Sequence, residues 1–172
     1  MAMNDEIRLQ PLDLSVAPRM AELANNAKVW QQLRDMFPHL YSLDDATAFI
    51  NSALAGQFGL VLGIWYGPEF AGTIGLVPQP DVYRRSAEIG YWLGEPYWGK
   101  GIATEAIRQI VAIGFSEQPE LVRIFAGIFS SNPASMRVLA KNGFQLEGIS
   151  PKAVFKNGVL LDEHRYGLLR TH

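Results

Sequence analysis

Between Glu88 and Ala106 the chain reads EIGYWLGEPYWGKGIATEA, and this segment limits what the fold can be more than any other. Ala87 to Leu93 has the character of a central strand. From Ile102 to Ser116, apolar residues recur at helical spacing through Ala103, Ile107, Ile110 and Gly114, with Ala106 and Ile113 widening the stripe. A strand must therefore pass into a helix through a turn that contains Gly99 and Gly101. Backbone N–H groups from Gly99 to Thr104 converge at that helix N-terminus, where the helix dipole favours an anion. A phosphate or pyrophosphate suits the place, because glycine permits close approach and unusual backbone angles. Lys100 adds a cation at the rim. The same spacing also suits a plain strand-to-helix turn. Other phosphate motifs fit poorly: no third glycine completes G-x-G-x-x-G, and no G-x-x-x-x-G-K-[ST] is present.

The flanking sequence supplies the rest of an α/β chain. Ile7, Leu9 and Leu12 have strand spacing, and a helix is predicted from Ser15 through Ala27, with Pro18 in its first turn. After FPHLYS, Ser42 and Asp45 form a capping box before a second helix that ends near Gly56. Phe58 to Tyr66 and Phe70 to Val77 read as antiparallel strands around a Gly67-Pro68 turn. A strand at 121 to 128, a helix at 133 to 142 and a closing pair at 144 to 155 and 159 to 169 follow, with Asn157 and Gly158 as a hairpin turn. The resulting expectation is a mixed sheet of about seven strands, antiparallel in its first half and gaining parallel pairing where helices intervene.

At 172 residues, residues 1 to 172 are read as one domain. A formal net charge of -2 argues against a surface built to hold nucleic acid, so an anionic ligand must be held locally. With no cysteine, there is no disulfide framework, thiolate metal site or cysteine nucleophile, which suits a reducing compartment. Charged residues in the first 14 positions rule out the apolar core of a signal peptide, and no apolar run is long enough to span a membrane. The chain is read as cytoplasmic, with no membrane partner.

YWGKGIATEA resembles motif A of the GCN5-related N-acetyltransferases (GNAT), in which [QR]-x-x-G-x-[GA] binds the coenzyme A pyrophosphate. Trp98, Gly99, Lys100, Gly101, Ile102 and Ala103 fall on its positions. Trp98 departs from the general Gln or Arg, but an aromatic residue is usual in the branch containing ribosomal-protein N-terminal acetyltransferases. LRDMFPHLYSLDDATAFI, SSNPAS and KNGFQLEG resemble segments of that branch in the same order. The resemblance implies a GNAT-like, mostly antiparallel sheet with helices on both faces, and acetyl-CoA as co-substrate without a metal. It further implies that the Tyr91, Trp92 and Leu93 backbone bonds the pantetheine arm, that residues from Gly99 to Thr104 hold the pyrophosphate, and that Asn132 touches pantetheine. The helix opened by Asn132 would lie beside the thioester sulfur. A homodimer is common among relatives.

Transfer from a thioester to an amine requires a neutral amine, oxyanion stabilisation and help for the departing thiolate. Glu88 is the first candidate base and Asp162 and Glu163 are the second. An unperturbed carboxylate near pKa ~4.3 is a poor direct base for an amine, so each of these acts through ordered water. Strand alternation leaves the face of Glu88 open, and a solvated glutamate is the alternative. The wider family's acidic tyrosine falls at Leu139 here and is missing. Ser135, one helical turn earlier on the same face, stands as the candidate acid, as in some members of the branch; a serine bonding only backbone or pantetheine is the other reading. Arg34, Phe37 and Tyr41, in the segment that borders the acceptor cleft in the family, are candidate substrate residues, with Asp35 beside them. His39, His164 and His172 lack metal spacing.

The leading reading is transfer of acetyl from acetyl-CoA to a peptide N-terminus or a small-molecule amine. A coenzyme A-binding regulatory module of the same fold, weak or inactive in catalysis, is the alternative. A phosphate-binding domain for another nucleotide ranks third.

Overall fold

A computed structural model describes residues 6–171; Met1, Met3 and His172 lie outside them. The elements are β1 (Ile7–Pro11), α1 (Ala17–Ala24), α2 (Ala27–Trp30), α3 (Leu43–Leu54), β2 (Leu60–Tyr66), β3 (Glu69–Pro78), β4 (Ser86–Leu93), α4 (Ile102–Glu117), β5 (Arg123–Phe129), α5 (Pro133–Lys141), β6 (Gln145–Lys156) and β7 (Val159–Leu169). The strands form one sheet in the order β1-β2-β3-β4-β5-β7-β6. Every pairing is antiparallel except β4 with β5.

The parallel pair follows from α4, which carries the chain across the sheet between β4 and β5. The expectation that the second crossover, through α5, also yields parallel pairing is corrected. The β6–β7 hairpin lies with β7 inward, so the neighbour of β5 is an antiparallel strand and β6 becomes the edge. Asn157 and Gly158 make that hairpin possible, with φ of 49° and 77° at its turn.

Alternation along β4 sorts the molecule into layers. Trp92 meets Phe37 edge-on, with ring centroids 5.8 Å apart, Phe37 meets Tyr41 at 4.9 Å, and the Tyr41 hydroxyl lies against Met20 of α1. α1 and α3 therefore cover that face. On the opposite face, α4 buries Ala106, Ile107 and Ile110 completely, each isoleucine contributing about 1.5–3 kcal/mol of hydrophobic stabilisation. Gly114 lets α4 approach closely, since a Cβ there would stand 2.4 Å from Leu76 Cδ1.

Two expected boundaries shift for identifiable reasons. The first helix stops at Ala24, before Ala27, because Asn25 leaves helical geometry and accepts a bond from the Tyr41 N–H at 3.1 Å. Asn26 then caps α2 by accepting from the Lys28 N–H. Phe58 precedes its strand: it stacks on Phe49 of α3 at 5.6 Å, and Gly59, at φ 75°, redirects the chain into β2. The Ser42–Asp45 capping box forms as expected.

Candidate active site

β4 and β5 pair at Ser86, Ala87 and Glu88 with Arg123, Ile124 and Phe125 and then part. Beyond Glu88, β4 remains bonded to β3 as far as Leu93, and β5 remains bonded to β7 as far as Phe129. Each strand is thus satisfied on its outer side while the inner edges diverge. A wedge opens between Tyr91–Trp92 and the end of β5.

The N-terminus of α4 follows from the same strand. Gly99 and Gly101 adopt φ of 72° and 77°, in the left-handed region that favours glycine, and a Cβ on either would meet nothing within 4 Å. Their surroundings are open, so close approach from outside is free. Gly101 is the N-cap of α4 and brings no side-chain cap. α3 and α5, by contrast, are closed by Ser42 and Asn132. The first-turn amides of α4, from Ile102 to Thr104, therefore present donors and the positive end of a 16-residue helix. Lys100 leans over the Tyr66 ring, 5.8 Å from its centre. Trp98 has a structural task that sequence reasoning missed: its indole N–H donates to the Leu93 carbonyl at 2.9 Å and closes the turn. That carbonyl is thereby occupied.

Across the wedge, α5 begins at Asn132, whose Oδ1 accepts from the Ser135 N–H at 3.2 Å. Ser135 is 8% exposed, and its hydroxyl pairs with the Tyr91 hydroxyl rather than with backbone. Burial pushes the Tyr91 phenol up to about 12, against a smaller lowering by the Ser135 bond. Leu139, one turn on, is fully buried in the core.

The other face of the wedge belongs to the segment between α2 and α3. Arg34 Nη2 lies 2.5 Å from Glu88 Oε1, which places Glu88 on the face of Trp92 and in an ion pair rather than free in solvent. Asp35 pairs at 2.8 Å with Lys156, whose side chain is only 4% exposed and whose Nζ lies 3.8 Å from the Trp30 ring centre. Lys156 carried no sequence signal, because a lysine beside a hairpin turn ordinarily reads as solvated. A cleft of about 210 Å³ lies among Arg34, Asp35, Phe129, Val154, Lys156 and Glu163. Phe37 is half-buried between Tyr41 and Trp92. Tyr41 does not reach a cleft: it is 6% exposed, and burial raises its pKa to about 12. As a substrate contact it is corrected to a core residue that supports Phe37.

The carboxylates separate by partner. Asp162 Oδ1 accepts from the Lys152 N–H at 2.9 Å, and the Asp162 N–H donates to Ser130 Oγ at 3.1 Å, which makes it a brace for the irregular stretch of β6. Glu163 lies over Gly127, where a Cβ would come within 2.7 Å of its Cδ, and reaches Arg165 only at 3.4 Å. Among the described residues no group of three or more His, Asp or Glu is arranged to hold a metal. His39 is stacked on Trp30 at 4.7 Å. No helix there is long and apolar enough to cross a membrane.

Residues 6–145 match the model of the acetyltransferase (GNAT) domain. The chain is a member of the GNAT family. It is 40% identical over 138 residues to the N-acetyltransferase YoaA of Bacillus subtilis, covering 77% of this chain and 76% of that one. Two solved structures superpose with TM-scores of 0.84. One is the microcin C7 self-immunity acetyltransferase MccE with acetyl-CoA and AMP, 27% identical over 99% of this chain and 96% of that one. The other is the ribosomal L7/L12 alpha-N-protein acetyltransferase RimL with coenzyme A, 25% identical over 97% of this chain and 96% of that one.

A GNAT fold is thereby established, and the chain is an N-acetyltransferase. One acidic residue in the first turn of α4 would oppose a phosphate there, and the helix neutralises it. Glu105 accepts from Arg108 at 2.8 and 2.6 Å and from Gln109 at 2.9 Å. The Arg108 bonds are the largest cause of a pKa held down to about 2. A carboxyl whose folded pKa lies below its unfolded ~4.3 stabilises fully above that value and loses the contribution as pH falls towards the folded one. The melting-temperature advantage of the natural protein over Glu105→Gln should therefore be complete above about pH 4.5 and gone near pH 2, as read by thermal denaturation across that range.

Proposed function

We propose that this GNAT protein moves the acetyl group of acetyl-CoA onto a primary amine by direct attack with both substrates bound. The observation that carries the reading is the parting of β4 from β5 between an uncapped helix N-terminus and a buried hydroxyl pair. Amides from Gly99 to Thr104 hold the pyrophosphate, and the open edge at Tyr91 and Trp92 receives the pantetheine arm much as a sheet edge receives an added strand. Asn132 and Ser135 face the arm from α5. Bound there, acetyl-CoA supplies the activated acyl group.

The amine enters over the opposite face, past Arg34 and Phe37. Glu88 is engaged by Arg34, so its role is to hold that segment. Glu163, with only a long contact to Arg165, is the carboxylate left to take the amine's proton through water. The preferred acceptor is an α-amine: with a pKa of ~8 it is neutral about a tenth of the time at pH 7, whereas a lysine near 10.4 is neutral less than a thousandth. The likeness to RimL, a ribosomal L7/L12 alpha-N-protein acetyltransferase, supports a peptide α-amine.

Calorimetry should show heat of binding for acetyl-CoA with the natural protein and none with Gly101→Glu, while circular dichroism shows both folded. Natural protein mixed with acetyl-CoA and an amine panel should release free thiol. Binding without release would leave a coenzyme A-binding module, and undiminished affinity in the variant would refute the pyrophosphate site. In steady-state assays Glu163→Gln should lower kcat/KM on the order of a hundredfold, whereas Asp162→Asn should cost stability rather than rate. Equal rate losses in the two would remove Glu163 from the role.

The lack of cysteine suits a cytoplasmic enzyme. The exposed edge strand β6, with Ile149 and Phe155 48% and 68% exposed, suits pairing with a second copy. Sedimentation should give a homodimer that Ile149→Lys dissociates; a monomer at every concentration sinks that part of the reading.

A further inference from the structure

Ser135 is held in an unusual way for a serine at the start of a helix. It occupies the third position after the cap, where a Glu or Gln side chain turns back to the cap residue's own N–H in a capping box. Here that N–H is spent on the Phe129 carbonyl at 2.8 Å, and the Ser135 N–H is spent on Asn132 Oδ1. The hydroxyl turns to the sheet and meets the Tyr91 hydroxyl, 44 residues earlier on β4. The contact joins the strand that borders the wedge on one side to the helix that borders it on the other.

Two hydroxyls in contact share one hydrogen, and chemistry decides which gives it. A phenol is a far better donor than an aliphatic alcohol and remains protonated throughout the physiological range. Tyr91 therefore donates and Ser135 Oγ accepts, which leaves the serine's own hydrogen to point elsewhere.

We infer that Tyr91 is a positioning residue: by donating to Ser135 Oγ it turns the Ser135 O–H into the gap between β4 and β5, toward the sulfur that leaves during acetyl transfer. The inference rests on the proposed function and deepens it. In the transfer the C–N bond forms, the C–S bond breaks with its electron pair going to sulfur, and the amine loses one proton. Ser135 helps by a hydrogen bond to sulfur and not by giving up its proton. Outright donation relayed from Tyr91 would leave a phenolate of pKa about 12 in exchange for a thiol near ~8.5, uphill by more than three powers of ten. The proton that sulfur finally takes therefore comes through solvent, balanced by the one the amine has lost.

The test is a double-mutant cycle on the whole protein with acetyl-CoA and an accepted amine. Tyr91→Phe should lower kcat roughly tenfold with KM for acetyl-CoA within twofold, and Ser135→Ala should lower it at least as much. Combined, they should be no slower than Ser135→Ala alone, because the phenol acts only through the serine. Multiplying penalties would make Tyr91 an independent acid, and a natural rate in Tyr91→Phe would remove it from the reaction; either outcome overturns the inference. Absence of thiol release by the natural protein would instead refute the acetyltransferase reading itself. Should Tyr91→Phe fail to fold, the hydroxyl proton of Tyr91 provides a second measurement. It should be slow enough in solvent exchange for NMR detection in the natural protein and lost in Ser135→Ala, and a resonance indifferent to that change overturns the pairing.

Discussion

β4 is bonded along its length to β3 and β5 along its length to β7, yet the two are bonded to each other only at their starts. Everything at the site depends on that imbalance. A strand whose backbone groups are left unpaired in the interior loses on the order of 1–3 kcal/mol for each, so a sheet does not open in its middle unless both halves are anchored elsewhere. Antiparallel ladders on the outer sides provide the anchor. The inner edges are then free to bond a ligand that carries its own amides. α4 must begin beside the end of β4 because only eight residues separate Leu93 from Ile102, and this brings its unsatisfied amides to the same opening.

The acceptor side is built on a different principle. The segment between α2 and α3 has little secondary structure and is attached to the sheet by two ion pairs and an aromatic chain. Arg34–Glu88 joins it to β4, and Asp35–Lys156 joins it to the edge strand. The second pair is asymmetric: Lys156 is buried and Asp35 is 72% exposed. A buried ammonium requires compensation, and the Trp30 ring face supplies part of it. Phe37, clasped by Tyr41 and Trp92, adds an apolar hold that salt does not screen. The segment proposed to meet the acceptor is thus tied both to β4 and to the edge strand β6.

Much of this was legible in the residues. The Gly99–Gly101 turn, the α4 stripe, the capping box at Ser42 and the Asn157-Gly158 hairpin are local signals, and local physics produces them. Features that depend on partners distant in the chain were not legible. Nothing in the order of residues places β7 inside β6, since the hairpin is the same either way. Alternation alone could not choose a face for Glu88; Arg34, 54 residues earlier, settles it. Tyr41 reads as a cleft residue from its segment, but its ring lies against Phe37 and its hydroxyl against Met20, in the core. Trp98 occupies the first position of the phosphate motif, and its indole serves the strand before it.

The tyrosine that the wider family carries on this helix is absent, and a different hydroxyl stands near its place. Position 139 faces the sheet from α5, and here a leucine fills that space as part of the core. A hydroxyl lost from the helix has a counterpart on the strand: Tyr91 reaches α5 from the other side and ends at Ser135, one turn before Leu139. The hydroxyl pair beside the wedge is held by a strand and a helix together, and on the inference above it directs the Ser135 O–H into the opening. That arrangement suits a thiolate leaving group, which is stable enough near neutral pH to need a directed hydrogen bond more than a strong acid. It also explains why the helix start is fixed so firmly: Pro133 at its first position and the Asn132 cap set the backbone on which the Ser135 hydroxyl is aimed.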